Sequence, residues 1–297
     1  MNVVYTSDVH VDITRNNRSC GLILYEYLKS SNPDLFILAG DISNSIGDID
    51  DFLRLFKSLD IPKVFVPGNH DIWIESGKQL RKGFDSRYKL ENQLPDICKD
   101  NGFHYPLSEP LILNDVAIVG TLGWYDYSLR DRRLDMLYSL QDYERGIFGD
   151  SIWNDARFVV WLKDRNSPDW RKRQEKLGNR EIFSNVFSRF KAVLSLIPDS
   201  INKIVVVSHT SPGLESYPGS GDPDPFDAYD GSIEIGSYIK KVFPDKRVCF
   251  VVGHRHDRTE LMIDENIRLY RAPVGYLRED EGDLTATVLR RIGRAHV

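Results

Sequence analysis

Cysteine is scarce in this sequence. Cys20, Cys98 and Cys249 are far apart, odd in number and outside any CxxC pair, which excludes a disulfide framework. Cys249, inside Val248-Cys249-Phe250-Val251-Val252, reads as a small core residue. Long apolar runs are also missing. No stretch of about 18 apolar residues exists, so no membrane span is expected. The opening Met1-Asn2-Val3-Val4-Tyr5 reads as a strand, with no basic stretch leading into a long apolar one. No secretory signal is therefore expected, and a reducing cytoplasm is the expected compartment. Positive charge is not in excess: the net charge is −5 and the pI about 5.8. General attraction for extended nucleic acid or an anionic membrane is thereby disfavoured, and a polyanionic substrate would need a metal or a local arginine cluster. Internal repeats and low-complexity tails are absent.

What is present is the balance of an ordinary globular protein, 41 % hydrophobic and 28 % charged. The length of 297 residues suffices for one large α/β domain, with or without an insertion. Short β-type runs alternate with amphipathic stretches. Strands are predicted at 3–6, 34–39 and 63–66, with helices at 22–30 and 48–59 between them. That order implies parallel strands with crossover helices. Later strands are predicted at 116–120, 203–208, 248–252, 260–263, 267–271 and 285–290, with a hairpin turn at Asp264-Glu265-Asn266. The later strands are expected to add antiparallel pairs, giving two packed sheets with helices outside. Residues 124–198 change character, being mainly helical and rich in aromatics: Trp124, Tyr125, Tyr127, Tyr138, Tyr143, Trp153, Trp161 and Trp170. They read as an insertion capping one end of the sheets within a single domain, 1–297. Residues 211–231, rich in Gly, Pro and Asp, read as loop.

The ends of the predicted strands carry the chemistry. They run into Asp8-Val9-His10, Gly40-Asp41, Gly68-Asn69-His70-Asp71, Ser208-His209 and Gly253-His254-Arg255-His256. In parallel α/β sheets, ligand sites lie beyond the carboxyl ends of strands. Five of the seven histidines occupy these positions. Imidazole nitrogens and carboxylate oxygens are the usual ligands of zinc, iron and manganese. Asp8 and His10, two apart, can point to one side of an extended segment, as can His254 and His256. Asp41 has two oxygens and can bridge two ions, and Asn69 offers a neutral oxygen. Two divalent cations held by Asp8, Asp41 and a bridging hydroxide leave net positive charge, which suits a phosphate group.

Together these motifs resemble the calcineurin-like metallophosphoesterase superfamily, on its prokaryotic phosphodiesterase-like branch. They run from residue 8 to 256 in the family's order. The resemblance implies a four-layer α/β/β/α sandwich of two mixed sheets. It also implies two divalent metal ions, with manganese favoured and iron or zinc as alternatives. Asp8, His10, Asp41 and His256 are then ligands of one ion, and Asp41, Asn69, His209 and His254 of the other. His70 is implied to be the catalytic residue that stabilises or protonates the leaving group, with Asp71 orienting it by accepting its other N–H. The implied activity is hydrolysis of phosphate esters, phosphodiesters first, by a metal-bridging hydroxide on a substrate that could be nucleotide-like. Serine/threonine protein phosphatases carry GDxVDRG and GNHE, where this chain has Gly40-Asp41-Ile42-Ser43-Asn44 and Gly68-Asn69-His70-Asp71. That argues against a protein phosphatase. A nuclease, a phosphomonoesterase and a non-catalytic metal-binding scaffold stand as the alternatives.

Each fragment taken singly has a plainer reading, since Asp-x-His, Gly-Asp and His-x-His all occur as turns or surface pairs. Their joint, ordered occurrence at strand ends decides for the metal site. Elsewhere the plain reading holds. His104 is a structural strand residue and His296 lies in a tail. Arg130, Arg132 and Arg133 form a solvated face rather than a phosphate grip. Trp124, Tyr125 and Tyr127 either anchor the insertion, which is favoured, or stack on a nucleobase. Trp73 lines the site or packs beneath it, and the direction of Arg255 is open.

Overall fold

The computed structural model describes residues 1–81, 83–164, 175–215 and 221–297. Among them the strands in chain order are β1 (Asn2–Thr6), β2 (Leu35–Leu38), β3 (Lys63–Phe65), β4 (Leu111–Leu113), β5 (Val116–Thr121) and β6 (Ile147–Phe148). These are followed by β7 (Ser151–Ile152), β8 (Lys203–Ser208), β9 (Arg247–Val252), β10 (Thr259–Met262), β11 (Ile267–Arg271) and β12 (Gly293–His296). One sheet has the order β12-β1-β2-β3, with β12 antiparallel to β1 and the other pairs parallel. The other has the order β10-β11-β9-β8-β5-β4, parallel in its centre and antiparallel at both edges. Strands β6 and β7 form a separate ribbon.

The two-residue period of a strand sorts side chains between layers. Val3, Tyr5, Leu35 and Ile37 of the first sheet pack with Ile118, Val205, Val207 and Val251 of the second, making the layer between the sheets. The alternate residues Val4, Phe36, Leu38 and Phe65 turn outward to the core shared with Leu24 and Leu28 of helix Arg15–Ser31 and Phe52 and Leu53 of helix Ile46–Arg54. On the far side, helix Asn179–Leu194 packs on β5. The result is the expected α/β/β/α sandwich of two mixed sheets. Because these strands are buried on both faces, they read as continuous apolar runs rather than alternating ones.

Several boundaries differ from the sequence reading, each for a local reason. The first helix starts at Arg15, seven residues before its apolar face begins, because Thr14 caps it: Thr14 Oγ1 accepts the Asn17 N–H at 3.0 Å. Residues 285–290, predicted as a strand from Thr285, Thr287 and Val288, form helix Leu284–Arg291 instead. Asp283 caps it by accepting the Ala286 N–H, and the helix packs on Arg15–Ser31. Tertiary burial of Val288 thus overrides β-propensity. Four strands have no counterpart in the sequence reading: the short β6 and β7, and also β4 and β12. β12 has little β-forming character of its own and pairs on the edge of β1, and β4 hairpins onto β5. His104 forms an isolated bridge with Val64, and His296 is the exposed last residue of β12.

Across 124–198 the described residues hold short helices Leu140–Arg145 and Asp155–Phe158, the β6–β7 ribbon and the long helix Asn179–Leu194. Trp170 lies outside the described residues. Trp124, Tyr125 and Tyr127 are fully buried, and Asn179 ties two of them: Trp124 Nε1 donates to its Oδ1 at 3.1 Å, and its Nδ2 donates to Tyr127 Oη at 2.8 Å. They anchor the segment and offer no free face to a base. Among the described residues no helix is long and apolar enough to cross a membrane.

Lys89 stitches two site-bearing loops together. Its Nζ is buried and donates to the carbonyls of Asn44 at 2.7 Å and Trp73 at 2.6 Å. Burial pushes its pKa down from 10.5 to about 8, against the pull of Glu75. Between those values the unfolded chain binds a proton that the folded chain does not, so Lys89 makes stability rise with pH through that window. Unfolding by urea should show the native protein gaining about 3 kcal/mol relative to Lys89→Met between pH 8 and 10.5. A pH-independent difference would mean that Lys89 does not titrate this way.

Candidate metal centre

The parallel strands deliver their carboxyl ends to one rim, and the two sheets meet there. Asp8 N–H donates to Gly40 C=O at 2.8 Å, linking the ends of β1 and β2. Gly253 N–H donates to His209 C=O at 2.9 Å, linking β9 to β8. His209 Nδ1–H donates to Ala39 C=O at 2.8 Å and joins one sheet to the other. That bond also fixes the ring so that Nε2 points into the rim.

The backbone at the rim is strained. Asp8, His10, Asp41 and His254 have φ of 54°, 48°, 58° and 71°, the left-handed region that non-glycine residues seldom occupy. Each such residue costs on the order of 1 kcal/mol or more and persists only where its surroundings hold it. Here the hold is visible: His10 N–H donates to Asp41 C=O at 3.0 Å, and His254 N–H to Asp8 Oδ1 at 3.1 Å. Close approach explains Gly68, where a Cβ would lie 2.1 Å from Asp41 Oδ1.

All seven expected metal ligands are brought together. Asp8, His10 and His256 form one group, and Asp41, His209 and His254 another, with the ligand-type atoms in each within 4.8 Å of one another. His256 Nε2 is 3.4 Å from Asp8 Oδ1 and 3.3 Å from His10 Nε2. Asp41 Oδ2 faces both groups, 3.3 Å from His209 Nε2 and 3.9 Å from His10 Nε2. Asn69 Oδ1 lies 3.1 Å from both His209 Nε2 and His254 Nδ1. These residues fit divalent cations. The donor atoms are the nitrogen and oxygen types that such ions take, and two imidazole nitrogens face each other at 3.3 Å, a separation that a shared proton or a shared cation can bridge.

Electrostatics at the rim are dominated by burial and by the carboxylates. Burial opposes charge on His209, yet the Asp41 carboxylate outweighs it and raises the ring to about 10. Burial, with His209 adding repulsion, pushes His254 down to about 3. Burial likewise takes His10 to about 4. Asp41 is held well below the usual carboxylate range: burial works against its ionised form, but His209, His70 and His10 prevail.

His70 lies on the open side, its Nε2 4.0 Å from Asp41 Oδ2 and its N–H bonded to Asp41 Oδ1 at 2.9 Å. Its ring stacks on Trp73 at 3.8 Å, so Trp73 packs beneath the site. The role expected for Asp71 needs correction. Its carboxylate is fully buried and accepts backbone N–H groups, from Asp41 and Gly68 on Oδ2 and from Ile42 and Ser43 on Oδ1. Both oxygens are taken up by the β2 and β3 loops, and the expected bond to His70 is not formed. Burial and the neighbouring Asp41 push Asp71 up to about 6 despite those donors. Sequence reasoning also missed Asp155, which is bonded to Asn69, and Tyr276, whose ring packs on His10 and His256. Neither lies in a motif.

The cleft above the rim has a volume of about 260 Å³. Beyond the expected ligands and His70, it is lined by Trp153, Phe226, Tyr276, Asp224, Asp227 and Arg255, among others. Arg255 is exposed at its lip and pairs with Asp230 and Asp257, each at 3.2 Å. Arg130 and Arg133 are held by Asp135 at 2.8 Å and Asp131 at 2.6 Å, outside the cleft lining.

A mixed α/β sandwich with imidazole and carboxylate donors at its strand ends is the build of a metal-dependent phosphoesterase. The family model described as calcineurin-like phosphoesterase matches residues 1–258, and the chain belongs to that family. A probable cyclic nucleotide phosphodiesterase from Moraxella catarrhalis (strain BBH18) is 30 % identical over 177 residues, covering 53 % of this chain and 62 % of the relative. The chain thus matches less than two thirds of that relative's length. Among solved structures, a phosphopantetheinyl hydrolase from Mycobacterium tuberculosis has the same fold. Its TM-score is 0.69 at 18 % identity, over 99 % of this chain and 95 % of that one. A dimetal phosphatase from Danio rerio is more distant, with a TM-score of 0.50 at 16 % identity over 91 % and 86 %. Family membership supports metal-dependent hydrolysis of phosphate esters.

Asp71→Asn should destabilise the metal-free protein by about 2–4 kcal/mol, since whichever side carries the amide NH₂ meets two buried backbone N–H groups. Urea unfolding in chelator checks this. An unchanged midpoint would return Asp71 to a purely catalytic role.

Proposed function

We propose that this chain hydrolyses phosphodiesters at a pair of divalent cations, manganese favoured. Asp8, His10, Asp41 and His256 hold one, and Asp41, Asn69, His209 and His254 the other. The observation that carries the reading is the convergence of seven donor side chains from five strand ends on the shared Asp41, with His70 beside it on the open side. When bound, the two cations supply an activated water and neutralise charge on the phosphoryl oxygens. The chain's own residues do the rest. Asp41 keeps Oδ2 toward both groups and uses Oδ1 to hold the His70 backbone. His209 is locked by Ala39 in the orientation that presents Nε2. His70, seated on Trp73, gives a proton to the departing oxygen.

A diester is supported by the cleft, whose aromatic side chains Trp153, Phe226 and Tyr276 leave room for a second, nucleotide-like substituent. The name of the Moraxella relative agrees with that. Trp153 comes from residues 124–198, which act as the cap over one side of the cleft within a single domain. The three cysteines, all free thiols, suit a cytoplasmic enzyme.

His70→Ala should keep both metal equivalents and lose roughly 10²- to 10⁴-fold in kcat. Full activity would remove His70 from the mechanism. In a panel with added manganese, a bis-aryl phosphate and cyclic nucleotides should turn over faster than an aryl monophosphate or single-stranded DNA. Faster monoester cleavage would make it a phosphomonoesterase, dominant DNA cleavage a nuclease, and metal uptake without turnover a scaffold.

A further inference from the structure

Asp155 opens the short helix Asp155–Phe158 in the capping segment and is buried. Four side chains converge on its carboxylate. Asn69 Nδ2 lies 3.0 and 3.2 Å from its two oxygens, Trp73 Nε1 donates at 2.5 Å, Tyr125 Oη–H at 2.7 Å and Trp153 Nε1 at 3.1 Å. Two of these partners reach the metal centre. The far end of Asn69 is the oxygen 3.1 Å from His209 Nε2 and His254 Nδ1. The far face of Trp73 is the seat of His70.

An amide side chain is nearly symmetric in shape but opposite in chemistry at its two ends. Turned one way, Asn69 offers a cation an oxygen; turned the other way, it offers N–H groups that repel it. Shape alone does not choose. An ionised carboxylate can accept but not donate, so Asp155 draws the NH₂ end and leaves the oxygen facing His209 and His254. We propose that Asp155 is a positioning residue. It fixes the amide of Asn69 for one of the two cations and couples the capping segment to metal binding. This rests on the metal assignment above.

Manganese titration of the full chain by calorimetry, without substrate, tests it. Native protein should take up two equivalents. Asp155→Asn, whose NH₂ end can pair with a turned-over Asn69 but leaves one indole N–H of Trp73 or Trp153 without its acceptor, should weaken one equivalent by roughly 10- to 100-fold and leave the other unchanged. The double variant Asn69→Asp with Asp155→Asn should recover the lost equivalent, because a carboxylate at 69 has no wrong orientation and an amide at 155 can donate to it. Native affinity for both ions in folded Asp155→Asn would overturn the proposal. So would equal weakening of both ions with no recovery in the double variant, the pattern of a merely structural role. Should Asp155→Asn not fold, the double variant alone is read: two equivalents near native affinity support the proposal, and fewer overturn it. Fewer than two equivalents on native protein would sink the metal assignment and this proposal together. Two equivalents with no ester hydrolysis would sink only the proposed function.

Discussion

The architecture around the rim follows from one buried anion. Asp41 leaves β2 in a left-handed turn, and its carboxylate is buried. A buried carboxylate without partners would be intolerable, and its partners come from separate parts of the chain. His209 comes from the second sheet, His10 from the loop after β1 and the His70 backbone from the loop after β3. Satisfying Asp41 therefore draws the ends of β1, β2, β3 and β8 together. The left-handed residues and the close-packed Gly68 are what that convergence requires of the backbone.

How much of this was legible in the sequence depends on where each partner sits along the chain. Asp8, His10, Asp41, Asn69, His70, His209, His254 and His256 each follow an apolar run, so strand-end logic locates them without knowledge of the packing. The two sheets were legible for the same reason: Leu35–Leu38 and residues 204–207 are unbroken apolar runs. Residues 285–290 misled because Thr and Val favour strands, while the deciding Asp283 cap and the contact with helix Arg15–Ser31 depend on the fold. Asp155 was invisible for a stronger reason. It follows Trp153 and Asn154 just past β7, a two-residue strand that no apolar run announces, and its partners include an Asn69 amide 86 residues away in the chain.

Asp71 and Asp155 show how residue type and role come apart. Both are buried carboxylates near the centre, but only Asp71 lies in a recognisable motif. Its position next to His70 suggested a partner for the imidazole, yet adjacency in sequence does not give adjacency of side-chain atoms. On the short 3₁₀ turn His70–Ile72, neighbouring side chains diverge. Asp71 turns inward to bind the loops, and His70 turns outward to the cleft. Asp155 reaches from the capping segment to the same place and binds side chains rather than backbone. One carboxylate shapes the loops and the other sets the orientation of what they carry.

The protonation pattern completes the physical logic of the metal-free state. Asp8 and Asp41 are both buried and both held below the ordinary carboxylate range, so two negative charges need two positive ones nearby. Each group holds one imidazole drawn toward the charged form. His209 beside Asp41 is raised to about 10, and His256 beside Asp8 is raised as well, despite burial that opposes the charge in both. Their neighbours His254 and His10 are pushed down, first by burial and then by the nearby imidazoles. One imidazole in each group is thus drawn toward its charged form and its neighbour toward its neutral form. Under the proposed function these imidazoles and carboxylates would hold the cations, and binding would be coupled to loss of protons from the rings. Strained turns and buried charge persist at the rim because the surrounding hydrogen bonds set the geometry and the imidazoles offset the carboxylates.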